Sequence, residues 1–522
     1  MATDNPRTGS ACEKMESFDS CGTSTSVSTA DSPSRLRSST SLSSMDEDMA
    51  EDSPLDPVNK NSEKVDTTKE VDLVDALNTA LAAKNKDLDM VDGLGNDFQI
   101  PDFTIKQIRD AIPAHCYERS GIRGLSYVAR DISVLATVFL LFNRFLTPEN
   151  VPSTCIRGAL WAVYTFVQGL FATGVWVLAH ECGHQSFSPS KTLNDTVGFI
   201  CHSALLVPYF SWKISHGKHH KATGHMERDM VFVPKTREQY ASNIGRLAHE
   251  LSELMEETPI MTAGTLIGQQ LLGWLMYINF NVTGHDFHFR QKEGRGIGKK
   301  NGYFGRVNHF DPASPLYEAK DAKLILASDV GLAVVFGILF CLGQRFGWAN
   351  LAVWYFVPYL WVNHWLGGYI SNRNSETQLI FTAVAITYLQ HTDPQLPHYE
   401  DNVWNFTRGA AATVDRELGF IGRQIMHGIV ETHVLHHFVS TIPFYHADEA
   451  SEAIKPVMGI HYRSDTKDGF AGFLKALYRN SRMCQWVEPA AEAKGDGQSV
   501  LFFRNRNHTG VPPMKMAPVM GS

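Results

Sequence analysis

The chain of 522 residues is short of several signatures that would settle its class at once. Its eight cysteines, Cys12, Cys21, Cys116, Cys155, Cys182, Cys201, Cys341 and Cys484, form no C-x-x-C pair, which speaks against a disulfide framework or a thiolate metal ribbon. No charge sign dominates: a formal net charge of -8 leaves no footprint for nucleic acid. The amino terminus has no apolar core of a cleavable signal, so membrane targeting is expected to use internal segments. No internal repeat is visible.

What is present is unevenly spread. Residues 1–100 read as a disordered Ser-rich and acidic region; DSPSRLRSSTSLSSMDEDMA (31–50) has almost nothing to bury. DFTIKQIRDAIPAHCYERS (102–120) has an amphipathic pattern and is expected to lie at a membrane surface. Four membrane spans are expected: 125–146, with Arg130 and Asp131 near one end; 159–179, which is 21 residues without a charge; 330–342 with its preceding KLILASD; and 351–366. The apolar stretch 260–280 is expected to lie in the interface or to re-enter without crossing. The body of the protein is placed at 101–485, and 486–522 is read as a polar C-terminal tail.

Of 22 histidines, eight fall in three tight groups. HECGHQSF holds His180 and His184; SHGKHH holds His216, His219 and His220; ETHVLHH holds His433, His436 and His437. On a helix, residues three and four apart share a face, so each group can converge on a metal, and neutral imidazole suits iron, zinc, copper and nickel. A lone pair of this kind is as often a packing or surface feature; the full set is not. The H-E-x-x-H reading of the first group points instead to a zinc hydrolase with Glu181 as base. An intramembrane protease of that kind needs an Asp ligand from another span, and the three Asp-Gly dipeptides, at Asp92, Asp468 and Asp496, lie in polar stretches. Eight histidines also exceed the three protein ligands of a catalytic zinc and suit two metals. One shared site requires all groups on one side of the membrane. Two spans before His180, none before His216 and two more before His433 satisfy that. Lys213, Lys218 and Lys221 fit a cytosolic face; solvated lysines are the plainer reading of them, docking of a redox partner the sharper one.

The segments HECGHQSF, HSALLVPYFSWKISHGKHHKATGH, YLQHTDPQLPHY and ETHVLHHFVSTIPFYHA closely resemble the membrane fatty-acid desaturases, and the fungal Δ12 (oleate) type in particular, from about Thr104 to about Pro512. The resemblance implies an all-α integral membrane protein, about four transmembrane helices carrying a cytosolic helical cap with a histidine-rich di-iron site. It implies metal ligation by His180, His184, His216, His219, His220, His433, His436 and His437. His391 in YLQHT is the expected ninth ligand; His225 and His427 are the other candidates, with packing or supporting roles for these two and for His398. Glu181 becomes a supporting residue. The implied reaction is O2-dependent introduction of a cis double bond that converts oleoyl to linoleoyl chains. Two irons, O2 and electrons from a separate cytochrome b5 with its NADH-dependent reductase would serve it, since no fused H-P-G-G signature occurs. Substrate would be an oleoyl phospholipid or acyl-CoA. The implied location is the endoplasmic reticulum membrane, multi-pass, with active site and both termini cytosolic. Δ15 (ω3) or bifunctional Δ12/Δ15 desaturation and the related fatty-acid hydroxylation are the rival outcomes. One departure stands out: GGYISNRNSETQLIFTA (367–383) separates WVNHWL from VAITYLQHT, which would otherwise form one continuous helix. Its seventeen in-frame residues have the coding length of a short intron retained in the gene, or form a true loop.

Overall fold

The computed structural model describes residues 88–242, 272–284, 307–366, 386–506 and 509–514, all within one unit, Glu70–Ser522. Residues 367–383, and 260–271 of the expected interfacial stretch, lie outside them. A short helix α1, Ile105–Ala111, opens with a capping box in which Thr104 and Gln107 bond each other's backbone N–H groups. Then come the long helices α2, Gly121–Phe145, and α3, Thr154–Gly183, each started by a serine that accepts a backbone N–H, Ser120 and Ser153. The bent pair α4, Lys191–Ala204, and α5, Tyr209–Ala222, follows. Next are α6, Ala322–Phe346, and α7, Val357–Leu366; a one-turn π-helix at Ala352–Phe356 leads into α7.

Among the described residues, three helices are long and apolar enough to cross a membrane: Gly121–Phe145, Thr154–Gly183 and Ala319–Phe346. They correspond to three of the four expected spans. The fourth, 351–366, is helical but broken by the π turn, and the residues that would extend it lie outside the described ones. The charge inside the first span is accounted for. Asp131 is fully buried, turned toward the protein, and bonded to both Arg130 and Nε2 of His427 (2.9 Å). A buried charge so paired avoids most of its desolvation cost.

The pair α4–α5 was not expected. Together the two helices are apolar enough for a span, but they meet at 109°. Were they a straight crossing, the first two histidine groups would sit on opposite faces; instead Nε2 of His180 and Nε2 of His216 are 3.0 Å apart. The bend returns the chain to the side it left. It also places His202 of α4 against the Trp176 carbonyl of α3 (3.2 Å).

The second half builds a cap from α8, Ile386–His391; α9, His433–Phe438; α10, Phe444–Met458; and α11, Gly469–Met483. Three expectations are corrected here. The protein is not purely α: β1, His398–Tyr399, pairs antiparallel with β5, Val500–Arg504, which pairs with β4, Trp486–Glu488. A second, parallel pair joins β2, Asp415–Arg416, to β3, Ser464–Asp465. The stretch from 486 is therefore not a polar tail up to Arg504; Val487, Val500, Phe502 and Phe503 are buried. Likewise residues 88–100 are not disordered: Met90 and Ile100 pack with Tyr399, Val500 and Phe502. Finally, the apolar face of 102–120 does not lie on a membrane. Ile108, Ile112 and Cys116 pack against Val434, Leu435, Ala450 and Ile454, so the cap uses that face as core.

α3 and α7 pack closely against each other at Gly169. A Cβ at Gly169 would stand 2.2 Å from Cβ of Trp361 and 3.0 Å from the Pro358 carbonyl, whereas Gly158, on the same helix, has open space. Gly169→Leu should therefore separate the two helices at a cost of about 1–3 kcal/mol or more. It is expected to lower the thermal midpoint of the detergent-purified protein, and Gly158→Leu is not.

Candidate metal centre

Each histidine group sits at a helix end that the local sequence dictates. His180 is in the last turn of α3 and His184 is its C-cap residue, with its N–H bonded to the His180 carbonyl (3.2 Å). His216, His219 and His220 line one face of the last two turns of α5, ahead of Gly224, whose φ of +68° ends the helix. His433, His436 and His437 occupy α9 at the same i, i+3, i+4 spacing. His391 closes α8.

These nine rings form two abutting nests. His180, His184, His216, His220 and His436 have ring nitrogens all within 4.8 Å of one another, and so do His219, His391 and His437. His433 joins the second nest through Nε2, 3.1 Å from Nε2 of His391. Stacked His220 and His437, 4.1 Å between centroids, form part of the wall between the nests. Each nest could hold a metal ion. Two residues of the first box, two of the second and one of the third meet in the first nest, so the boxes do not map one to a metal.

The fit to cations rests on atoms. Nε2 of His180 and His216 are 3.0 Å apart, of His216 and His220 3.1 Å, and of His219 and His391 3.2 Å. Two nitrogens bound to one ion at roughly 2.1 Å and at right angles stand about 3.0 Å apart. Tautomers point the same way. Asp229 accepts from Nδ1 of His219 with both oxygens (2.8 and 2.9 Å), which leaves a lone pair on Nε2. The Thr223 hydroxyl donates to the His219 carbonyl (2.8 Å) and so accepts from Nδ1 of His437 (3.0 Å), freeing Nε2 there as well. Nε2 of His184, His436 and His437 is buried without a hydrogen-bond partner. Burial, and then the neighbouring imidazoles, hold His433 and His437 well below the usual range, and His436 is pushed down to about 3. These rings are neutral at physiological pH, the form that binds metal.

Glu181 takes no part in either nest. It lies buried against Nδ1 of His180 (3.3 Å) and receives the Ser186 hydroxyl (2.7 Å), which leaves the hydrolase reading without its base. His225 bonds Asp401 (3.1 Å), His427 bonds Asp131, and His398 packs on Phe503; all three stand outside the nests. Lys213 is paired with Asp195 (2.6 Å) and Lys218 donates to the Leu316 carbonyl (2.7 Å), so these two are not an open basic face.

Sequence reasoning missed the residues that aim the boxes. The fully buried Arg416 bonds the Leu389 carbonyl (3.1 Å) at the end of α8 and pairs with Asp393 (3.1 Å) and Asp465 (2.6 Å). Its neighbour Asp415 accepts the Val434 N–H (2.8 Å) at the start of α9 and the Tyr462 hydroxyl. Two consecutive residues thus set His391 and the third box. Nothing local to D-R at 415–416 signals this. A narrow cavity opens beside His436, with Val177, Leu435, Val439, Ile442 and Phe444 on its apolar side and Glu181, His427 and Thr432 also in its lining.

The family model for fatty acid desaturase matches residues 159–468, which include all nine histidines. The chain belongs to the fatty acid desaturase family. An oleate hydroxylase of Claviceps purpurea is 56% identical over 493 residues, 94% of each chain. A Δ12 fatty acid desaturase of Mortierella alpina is 43% identical over 415 residues, 78% of this chain and 92% of that one. A Δ12 desaturase of Calendula officinalis is 39% identical over 407 residues, with the same coverage. This desaturase-family chain is accordingly an oxidoreductase of fatty acyl chains, and its long apolar helices belong in a membrane.

Asp229→Ala should remove the acceptor that fixes the His219 tautomer. Metal affinity is expected to fall about 10–100-fold, read as metal retained per chain after dialysis against a graded chelator; unchanged retention would remove Asp229 from the centre.

Proposed function

We propose that the protein is a membrane-bound Δ12 desaturase that converts oleoyl to linoleoyl chains, with two irons held by the nine histidines. The observation that carries the reading is the pair of all-imidazole nests at the inner ends of α3 and α5. The first iron would be held by His180, His184, His216, His220 and His436; the second by His219, His391, His433 and His437. When bound, the iron pair supplies the O2-dependent oxidation needed to break an unactivated C–H bond. Overall, one O2, two electrons and two protons take two hydrogens from neighbouring methylenes of the acyl chain and leave as two waters. The electrons come from cytochrome b5 and its NADH-dependent reductase.

The chain's own residues do the rest. Asp229 and Thr223 hold His219 and His437 with Nε2 inward. Asp415 and Arg416 fix the helices that carry His433 and His391. Val177, Leu435, Val439, Ile442 and Phe444 offer an apolar wall beside His436, as an acyl methylene requires and as exclusion of water requires. We place the enzyme in the endoplasmic reticulum membrane, multi-pass, with the nests and both termini cytosolic and an oleoyl phospholipid as substrate.

The 56% identity to an oleate hydroxylase favours a second reading, hydroxylation of the same chain. Both outcomes begin with loss of one hydrogen from a methylene. In hydroxylation the carbon then gains oxygen, and one water leaves instead of two. The nests serve either outcome, so the product decides.

Expression in a yeast that makes oleate but no polyunsaturates is expected to yield a Δ9,12 diene that vanishes with His219→Ala. A hydroxylated acyl chain in place of the diene moves the assignment to the second reading. Activity confined to a form lacking 367–383 would identify that segment as a retained intron.

A further inference from the structure

We propose that His115, Cys116, His446 and Glu449 form a separate metal site of zinc type, which clamps the segment before α2 onto α10. The four donors come from two elements more than 300 residues apart. His115 and Cys116 are in the 3-10 turn Ala114–Tyr117; His446 and Glu449 lie three apart on one face of α10. One ligand atom from each lies within 4.8 Å of all the others. Nε2 of His115 is 2.9 Å from Oε2 of Glu449 and 3.7 Å from Sγ of Cys116. Tetrahedral bonds of roughly 2.0–2.3 Å put ligand atoms about 3.3–3.8 Å apart, so small side-chain rotations close the set.

An ordinary surface ion pair would account for His115 and Glu449, whose side chains are 52% and 54% exposed. It does not account for a fully buried thiol and a half-buried imidazole gathered on the inner side of the same spot. That gradient is what an entry path looks like: two solvent-facing donors above two inner ones. The donor chemistry selects the ion. A thiolate with two imidazoles favours zinc over magnesium or calcium, and one thiolate with one carboxylate neutralises a divalent charge. On binding, the Cys116 S–H gives its proton to solvent as sulfur bonds the ion. Burial and the Glu449 carboxylate push the free thiol up, and a bound cation reverses that preference. Burial, then Arg123 and His115, hold His446 down, so its lone pair is available.

None of the four belongs to the histidine nests. The site is nevertheless coupled to them through α10, because Phe444 and Ala447, in its first turn, line the cavity beside His436. A metal on the outer face of that turn would hold the cavity wall in place; this consequence alone rests on the proposed function.

The test is cobalt titration of the full-length, detergent-purified protein. The nests hold no sulfur, so a thiolate-to-cobalt charge-transfer band in the near ultraviolet cannot come from them, and its loss in Cys116→Ser assigns it to this site among the chain's eight cysteines. Wild type is expected to show the band, saturating at one cobalt and displaced by zinc. Cys116→Ser should abolish it. Glu449→Gln, at an exposed position that folding tolerates, should weaken cobalt binding at least about tenfold. His219→Ala should keep the band while losing any lipid product, so the two sites fail independently. No thiolate band in wild type, or a band that survives Cys116→Ser, overturns the proposal.

Discussion

Nine imidazoles packed against one another, seven of them buried, with neighbouring Nε2 atoms as close as 3.0–3.2 Å, constrain everything else in this protein. Neutral lone pairs at that separation repel, and burial away from water denies them other partners. A cation at the centre of each nest, as proposed, would relieve both costs at once. The rest of the fold brings four chain segments to that point. α3 delivers the first box at its end, the 109° bend of α4 and α5 returns the second box to the same side, and the cap supplies α8 and α9. Were α4–α5 straight, the nests could not form.

Aiming the rings takes a second tier of residues, each tied to a helix end. Asp229 and Thr223 choose the tautomer of His219 and His437. Arg416 takes up the terminal carbonyl of α8, and Asp415 supplies the N-terminal acceptor that Thr432, which makes no side-chain cap bond, does not supply to α9. The carboxyl of Asp415 is pushed up to about 7 by burial, against the bonds from Tyr462 and Val434 that favour its charged form. Removing Arg416 would leave Asp393 and Asp465 short of a buried cation, which is why a single arginine can matter as much as a ligand.

The boxes were legible because i, i+3, i+4 spacing is a local property: a helix converts it directly into convergence. His391 was legible only through resemblance, since a lone histidine after an apolar run carries no spacing signal. The long helices were legible from runs of uncharged residues. What escaped reading is tertiary. Asp229, Asp415 and Arg416 acquire their roles from partners far away in sequence. Strands of two to five residues, such as His398–Tyr399, exist only because β5 arrives to pair with them. The amphipathic face of α1 was assigned to a membrane because periodicity tells which side is apolar but not what covers it; here α9 and α10 do. The bend at 205–208 joins two short apolar helices that composition alone cannot distinguish from one span.

The central claim is that the nests hold two ions by imidazole nitrogen. Iron-edge X-ray absorption on the purified enzyme, with iron counted per chain, tests it most directly. The account predicts two irons per chain, a nitrogen-and-oxygen shell near 2.1 Å and the outer-shell scattering of several imidazole rings. One metal per chain, or a shell without imidazole scattering, would contradict it.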